Sequence, residues 1–300
     1  MYESHFGFRE LPFGLTPDPS YFFACSSYRE ALNTLLVAAF NGEGFIKIIG
    51  EVGYGKTMLC RTFLAALQDA VDAQEDPSQT SAAQGNGRTF VTAYLPNPYL
   101  DPRGLLLALA EEFGVAVDRR VDLHMLTKAV TSGLMDVARD GKHALVCLDE
   151  VQAMPQVTLE AIRLLTNLET EKRKLLQVVL FGQPELDQKL LQQSSRQLLQ
   201  RITFQYTLYG LRDDEVAPYL RHRLRVAGYE GEGLFTHAAI RLLHRFSGGT
   251  PRLVNILAHK ALMLAYGEGL REIGPGLVKA AADDTPAARR PARLLGWLGR

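Results

Sequence analysis

The stretch Gly50-Glu51-Val52-Gly53-Tyr54-Gly55-Lys56-Thr57 stands between a β-branched apolar run, Phe45-Ile46-Lys47-Ile48-Ile49, and a helix-forming run, Met58-Leu59-Cys60-Arg61-Thr62-Phe63-Leu64. It fits G-x-x-x-x-G-K-[ST], and a strand feeding a glycine turn that opens a helix is the context a phosphate-binding loop requires. Glycines let backbone N–H groups point inward at phosphate oxygens, and the helix N-terminus adds its partial positive charge. In that reading Gly50 to Met58 cradle the phosphates of ATP, Lys56 reaches the β- and γ-phosphates, and the Thr57 hydroxyl is a ligand of Mg2+. A glycine turn with an exposed lysine is the plainer alternative.

Such a loop needs a carboxylate at the end of a neighbouring buried strand to hold the Mg2+ shell. Asp149 follows the apolar run His143-Ala144-Leu145-Val146-Cys147-Leu148 and fits that position. Glu150 comes next and can act as general base on the attacking water. Gln183 ends the run Leu176-Gln177-Val178-Val179-Leu180-Phe181-Gly182, where it would contact the γ-phosphate or that water. Transition-state charge on the equatorial oxygens also calls for a positive group. Arg196 and Arg201 are candidates for an arginine finger acting on a neighbouring subunit's nucleotide, Arg201 being favoured, and surface ion pairing is the alternative for each. Arg252, in Ser247-Gly248-Gly249-Thr250-Pro251-Arg252, begins a helix and could reach back to the γ-phosphate. The plainer alternative, not the favoured one, is that Gly-Thr-Pro-Arg is a simple helix start with Pro at its first position.

Outward from these motifs, strands alternate with helices. A helical spacing of Ala31, Leu32, Leu35, Leu36 and Ala39 precedes the first strand, and a second strand is read at Thr89–Leu95. Helices are expected around 102–113, 122–139 and 156–171, and an exposed polar loop from Asp72 to Arg88. Strands at 143–148 and 176–181 complete four continuous apolar runs, which imply an α/β fold with a parallel sheet covered by helices. From about 211 only helices are expected, near 214–227, 235–246, 251–266 and 276–282. Residues 1–24, dense in Phe, Pro and Gly, are expected to pack as an extended cover and not as a regular helix.

Among 300 residues, Lys plus Arg and Asp plus Glu number 33 each, so no overall basic field points to bulk nucleic-acid binding. The three cysteines, Cys25, Cys60 and Cys147, lack C-x-x-C spacing and nearby histidines, which argues against a zinc site or disulfide framework. Cys147 reads as a small buried hydrophobe. With no leader-like N-terminus and no apolar run long enough to span a bilayer, a cytoplasmic chain is expected.

Taken together, Gly50–Thr57, Leu148-Asp149-Glu150, Gly182-Gln183-Pro184-Glu185-Leu186, Gln200-Arg201-Ile202 and Gly249-Thr250-Pro251-Arg252-Leu253-Val254-Asn255 resemble the Walker A, Walker B, sensor 1, box VII and sensor 2 elements of AAA+ ATPases. The opening Phe6-Gly7-Phe8-Arg9-Glu10-Leu11-Pro12-Phe13, with Leu15-Thr16-Pro17-Asp18-Pro19, is similar to the ExeA/GspA branch, which includes MshM, the ATPase of MSHA type IV pilus biogenesis. The resemblance, which covers about residues 1–283, implies an AAA+ P-loop core at 27–208, an N-terminal segment at 1–26 with Pro12 to Phe23 bordering the adenine, and a helical lid at 209–283; a basic and apolar tail at 284–300 falls outside it. Tail docking on an anionic membrane or a partner is one reading, and disorder is the other. It further implies Mg2+ on Thr57 and Asp149, Glu150 as catalytic base, Gln183 as sensor 1, Arg252 as sensor 2 and Arg201 as finger.

The expected function is hydrolysis of Mg-ATP between core and lid and at subunit interfaces, driving assembly or remodelling of a type IV pilus, MshM-like, or of secretion machinery. Implied partners are copies of the chain in a ring, a hexamer being favoured, and pilus or secretion proteins at the inner membrane. Two alternatives stay open. One is a DNA-associated transposition regulator of the TnsC type, with nucleic acid as partner, and the other is an ATP-switched scaffold with little turnover.

Overall fold

The computed structural model describes residues 2–16, 18–75, 88–167 and 174–289. Among them five strands occur: β1 (Phe45–Gly50), β2 (Phe90–Leu95), β3 (His143–Leu148), β4 (Leu176–Gly182) and β5 (Ile202–Leu208). The helices are α1 (Glu3–Phe6), α2 (Ser26–Asn41), α3 (Lys56–Glu75), α4 (Pro102–Glu112), α5 (Leu123–Arg139), α6 (Gln156–Leu165), α7 (Glu185–Leu190), α8 (Arg196–Leu199), α9 (Asp213–Val226), α10 (His237–Ser247), α11 (Pro251–Gly267) and α12 (Pro275–Asp283). They form two compact units, one of Tyr28–Val52 and Lys56–Leu208, the other of the described residues of Met1–Ser27, Gly53–Gly55 and Tyr209–Arg300.

The first unit is an all-parallel sheet in the order β2-β3-β4-β1-β5. Central strands β1 and β4 are buried along their whole length, as continuous apolar runs demand. Side chains alternate faces, so Phe45, Ile49, Val146, Leu148, Val178 and Leu180 join one core with Leu105 and Leu109 of α4, Leu126, Val130 and Leu134 of α5, and Leu159 and Ile162 of α6. On α5 the buried residues recur every four positions, and Asp122 caps the helix by accepting from the Met125 N–H at 2.8 Å. α3 packs against β1, β2 and β4, with Leu59, Phe63 and Leu67 fully buried. Each such side chain contributes about 1.5–3 kcal/mol relative to exposure.

This order places β4 between β1 and β3, so their C-terminal ends adjoin: Ile49 pairs with Gly182, and Leu148 with Leu180. In parallel sheets ligands gather at those ends.

Lys47 shares the Phe45 and Ile49 face and is 5% exposed. Its ammonium donates to Asp187 of α7 at 2.5 Å, the pairing a buried cation requires.

The second unit is helical. Thr236 caps α10 by accepting from the Ala239 N–H, and Gly248 ends it at φ 58°. Gly249, at φ +77°, donates no room for a side chain: a Cβ there would lie 2.2 Å from the Leu211 carbonyl oxygen. The N-terminal segment belongs to this unit. Tyr2 hydroxyl and His259 Nδ1 are hydrogen-bonded at 2.8 Å, and Phe13 meets Phe235 edge-on. The Arg223 guanidinium donates to the carbonyls of Pro12 and Gly14 while lying 4.6 Å from the Tyr21 ring centre.

Several expectations need correction. β5 was not foreseen: its residues alternate between half-buried and exposed up to Leu208, since an edge strand lacks the continuous apolar run of a central one. The polar segment starting at Asp72 is still helix to Glu75, because Asp, Ala, Gln and Glu propagate a helix once α3 is anchored by packing; residues 76–87 of the expected loop lie outside the described residues. The helix expected to 171 ends at Leu165, with 168–173 outside. Residues 1–24 contain the single turn α1 and a 3-10 turn at Pro19–Tyr21, and Pro17 lies outside. Short helices α7 and α8 were also not read. Of the expected tail, Thr285 and Ala288 are buried and Arg289 donates its N–H to Phe246, whereas 290–300 lie outside the described residues.

Candidate nucleotide-binding site

The loop after β1 is shaped by its glycines. A Cβ on Gly50 would sit 3.1 Å from the Leu208 Cβ, and Gly53 and Gly55 have φ 80° and 81°, a region disfavoured for residues with a Cβ. α3 begins at Lys56, so Gly50-Glu51-Val52-Gly53-Tyr54-Gly55 form the turn while Lys56, Thr57 and Met58 lie in the first helical turn. Lys56 is 5% exposed and donates its ammonium to the carbonyls of Gly50 at 2.8 Å and Glu51 at 3.1 Å. Burial lowers its pKa, against the upward pull of Glu150 and Asp149.

Thr57 donates its hydroxyl to Asp149 Oδ2 at 2.6 Å, and the Glu150 N–H donates to Asp149 Oδ1 at 2.9 Å. Burial nevertheless raises the Asp149 carboxyl above the ordinary aspartate value. Two hard oxygens side by side, one carrying a desolvated negative charge, fit Mg2+, which takes one or two protein oxygens and completes its shell with phosphates and water.

Glu150 adopts φ 56°, the only positive φ outside glycine among the described residues. From this backbone its side chain meets the end of β4. Gln183 donates its amide to Glu150 Oε2 at 2.9 Å, and Gln152 donates to the same oxygen at 2.5 Å. The fold thus brings together five expected residues: Lys56, Thr57, Asp149, Glu150 and Gln183.

Among the described residues, Arg196 and Arg201 share no hydrogen bond with these five. Arg201 lies at the junction of α8 and β5, where its charge joins Arg163 in holding Glu160 below the usual carboxylate range, after the hydrogen bond from Arg163. Arg196 is exposed at the start of α8. In the helical unit, Arg252 is exposed near the start of α11, and its N–H donates to the Gly53 carbonyl at 3.3 Å. A Cβ on Gly53 would meet the Arg252 Cβ at 2.8 Å, so the loop glycine permits that approach.

Two residues went unread in the sequence. Tyr94 of β2 donates its hydroxyl to Asp149 Oδ2 at 3.4 Å, and burial followed by the Asp149 charge raises its pKa. Gln152 sits in a 3-10 turn, Val151–Ala153, and only its spacing two residues beyond Glu150 hinted at a role.

The AAA domain family profile matches residues 40–190, half of the chain. General secretion pathway protein A of Aeromonas hydrophila is 40% identical over 289 residues, 96% of this chain and 49% of that protein, so the chain spans about half the length of this relative. Among solved structures, the Aeropyrum pernix ORC2 protein in its ADPNP–ADP complexes superposes with a TM-score of 0.66 at 17% identity, over 93% of this chain and 72% of that one. The Thermotoga maritima RuvB Holliday junction branch migration motor gives 0.54 at 15% identity, over 88% and 70%. At such identities the structures show a shared fold. The family match, on a parallel sheet whose strand ends gather a glycine loop and two carboxylates, makes this chain a member of the AAA domain family, similar over most of its length to general secretion pathway protein A.

Proposed function

We propose that this chain is a Mg2+-dependent ATPase that drives assembly or remodelling of a secretion or MshM-like type IV pilus machine. The observation that carries the reading is the hydrogen-bonded run of Thr57, Asp149, Glu150 and Gln183 at the adjoining ends of β1, β3 and β4, beside a buried Lys56 held by the loop carbonyls of Gly50 and Glu51. The likeness to general secretion pathway protein A supports the machine.

In this reading the loop N–H groups hold the β- and γ-phosphates, and the Lys56 ammonium exchanges two carbonyl acceptors for phosphate oxygens. Thr57 and Asp149 would hold Mg2+, which when bound would supply charge neutralisation on the phosphate oxygens. Glu150 takes a proton from water as its oxygen bonds to the γ-phosphorus and the bond to ADP breaks, while Gln183 orients that water. Arg252 reads the γ-phosphate from the start of α11, in a helical lid at 209–283 that works on a core at 27–208, and Arg201 serves a neighbouring copy in a ring. The N-terminal segment borders the adenine. Partners are secretion or pilus proteins at the inner membrane; among the described residues no helix is long and apolar enough to cross a membrane.

The test separates binding from turnover. Lys56→Ala is expected to lose ATP binding in a fluorescent-nucleotide titration, whereas Glu150→Gln binds ATP with near-native affinity and turns over at least 100-fold more slowly. Wild-type-like phosphate release by Glu150→Gln would remove Glu150 as the base.

A further inference from the structure

Glu150 is held by more than Gln183. The Gln152 amide forms a bridge: its nitrogen donates to Glu150 Oε2 at 2.5 Å, and its oxygen accepts the Gln183 N–H at 3.0 Å. Gln183 returns its side-chain amide nitrogen to Glu150 Oε2 at 2.9 Å, closing a ring through the side chains of Glu150 and Gln152 and both the backbone and side chain of Gln183. The turn carrying Gln152 is fastened from below. Lys189 of α7 donates its ammonium to the carbonyl of Gln152 at 3.1 Å and to that of Met154. Gly182 runs beside the bridge, and the close neighbour of a Cβ there would be Leu186 of α7 at 2.6 Å, with the Gln152 amide oxygen at an ordinary contact distance of 3.5 Å.

We propose that Gln152 is a positioning residue that locks the Glu150 carboxylate to the end of β4, so that base and Gln183 act as one body. The proposal rests on the ATPase reading for its kinetic consequence only. Glu150 carries a left-handed backbone on a short turn, and a long side chain there has free torsions unless something fixes it. With Oε2 committed to two amides, Oε1 remains to accept the water's proton. A base displaced by about 1 Å loses on the order of 100-fold in rate.

Gln152→Ala is expected to lower kcat by about 10–100-fold while the ATP affinity and KM stay within twofold. In the Glu150→Gln background the same substitution should have no further effect on residual turnover, because there is no longer a base to place. Gln152→Glu keeps the shape but puts a carboxylate against Glu150, and it should fall at least as far as Gln152→Ala. A merely structural role would lower the melting temperature and leave the two kinetic effects additive. Unchanged kcat in folded Gln152→Ala, or full additivity with Glu150→Gln, overturns the proposal. If the wild type hydrolyses no ATP, the functional reading fails by itself, and the bridge is then judged by a thermal-stability double-mutant cycle. Coupling between Glu150→Ala and Gln152→Ala supports it, and additive melting shifts overturn it.

Discussion

The left-handed backbone of Glu150 permits a test in which side-chain chemistry cancels. At φ 56° a residue with a Cβ pays about 1–2 kcal/mol relative to its preferred regions, and glycine pays nothing. Replacing Glu150 by Ala or by Gly deletes the same two hydrogen bonds, from Gln152 and Gln183, so the pair differs in backbone freedom alone. Glycine gives back about 0.4–1 kcal/mol through its larger unfolded-state entropy. Glu150→Gly should therefore be more stable than Glu150→Ala by about 0.5–1 kcal/mol, a gap of roughly 1–4 °C in a domain of this size. Thermal unfolding followed by circular dichroism, with urea midpoints as a second probe, measures it. Both variants should lack turnover. An alanine variant as stable as the glycine variant would show that position 150 is not strained, and the account of how Glu150 is aimed at β4 would fall with it.

Other consequences follow from particular contacts. Asp149 has its folded pKa raised by burial above the ordinary 3.8, so the stability linked to its proton is fully present below that value and lost as pH rises through the folded pKa. Asp149→Asn without nucleotide should melt higher than wild type at pH 7.5, with the gap closing on acidification; a constant gap would contradict the burial argument. Asp187→Ala strips the partner from Lys47, whose side chain is 6% exposed, and should cost about 2–3 kcal/mol in denaturant unfolding. That is less than the loss for a fully buried pair because Asp187 is 47% exposed. Gly249→Ala, with a Cβ 2.2 Å from the Leu211 oxygen at φ +77°, should destabilise the helical unit by more than about 2 kcal/mol, seen as early loss of amide protection in α10 and α11. Arg201→Ala should lose turnover and regain it when mixed with Lys56→Ala, because each copy then supplies what the other lacks; no recovery would remove the shared-site finger.

What the sequence determined by itself was the chemistry carried by local pattern. A glycine turn between an apolar run and a helix needs neighbours only a few residues away, so Gly50 to Thr57 and the strand before Asp149 were legible without a fold. Of the four strands first read, β1, β3 and β4 are buried almost throughout and carry largely apolar runs, whereas β2, at one edge of the sheet, is half-buried at Val91, Thr92 and Tyr94. β5 was not legible, because its residues alternate between half-buried and exposed up to Leu208, and its membership of the sheet depends on pairing with β1, more than 150 positions earlier. Tertiary structure alone decided the strand order that sets β4 between the glycine loop after β1 and the carboxylates after β3, and with it the meeting of Gln183, Gln152 and Glu150. Those contacts span 31 and 33 positions, and no periodicity along the chain encodes which strand ends will adjoin. Hydrophobic periodicity says that a face is buried; the partner buried against it, and the polar groups brought together at its rim, are set by how the whole sheet closes its core.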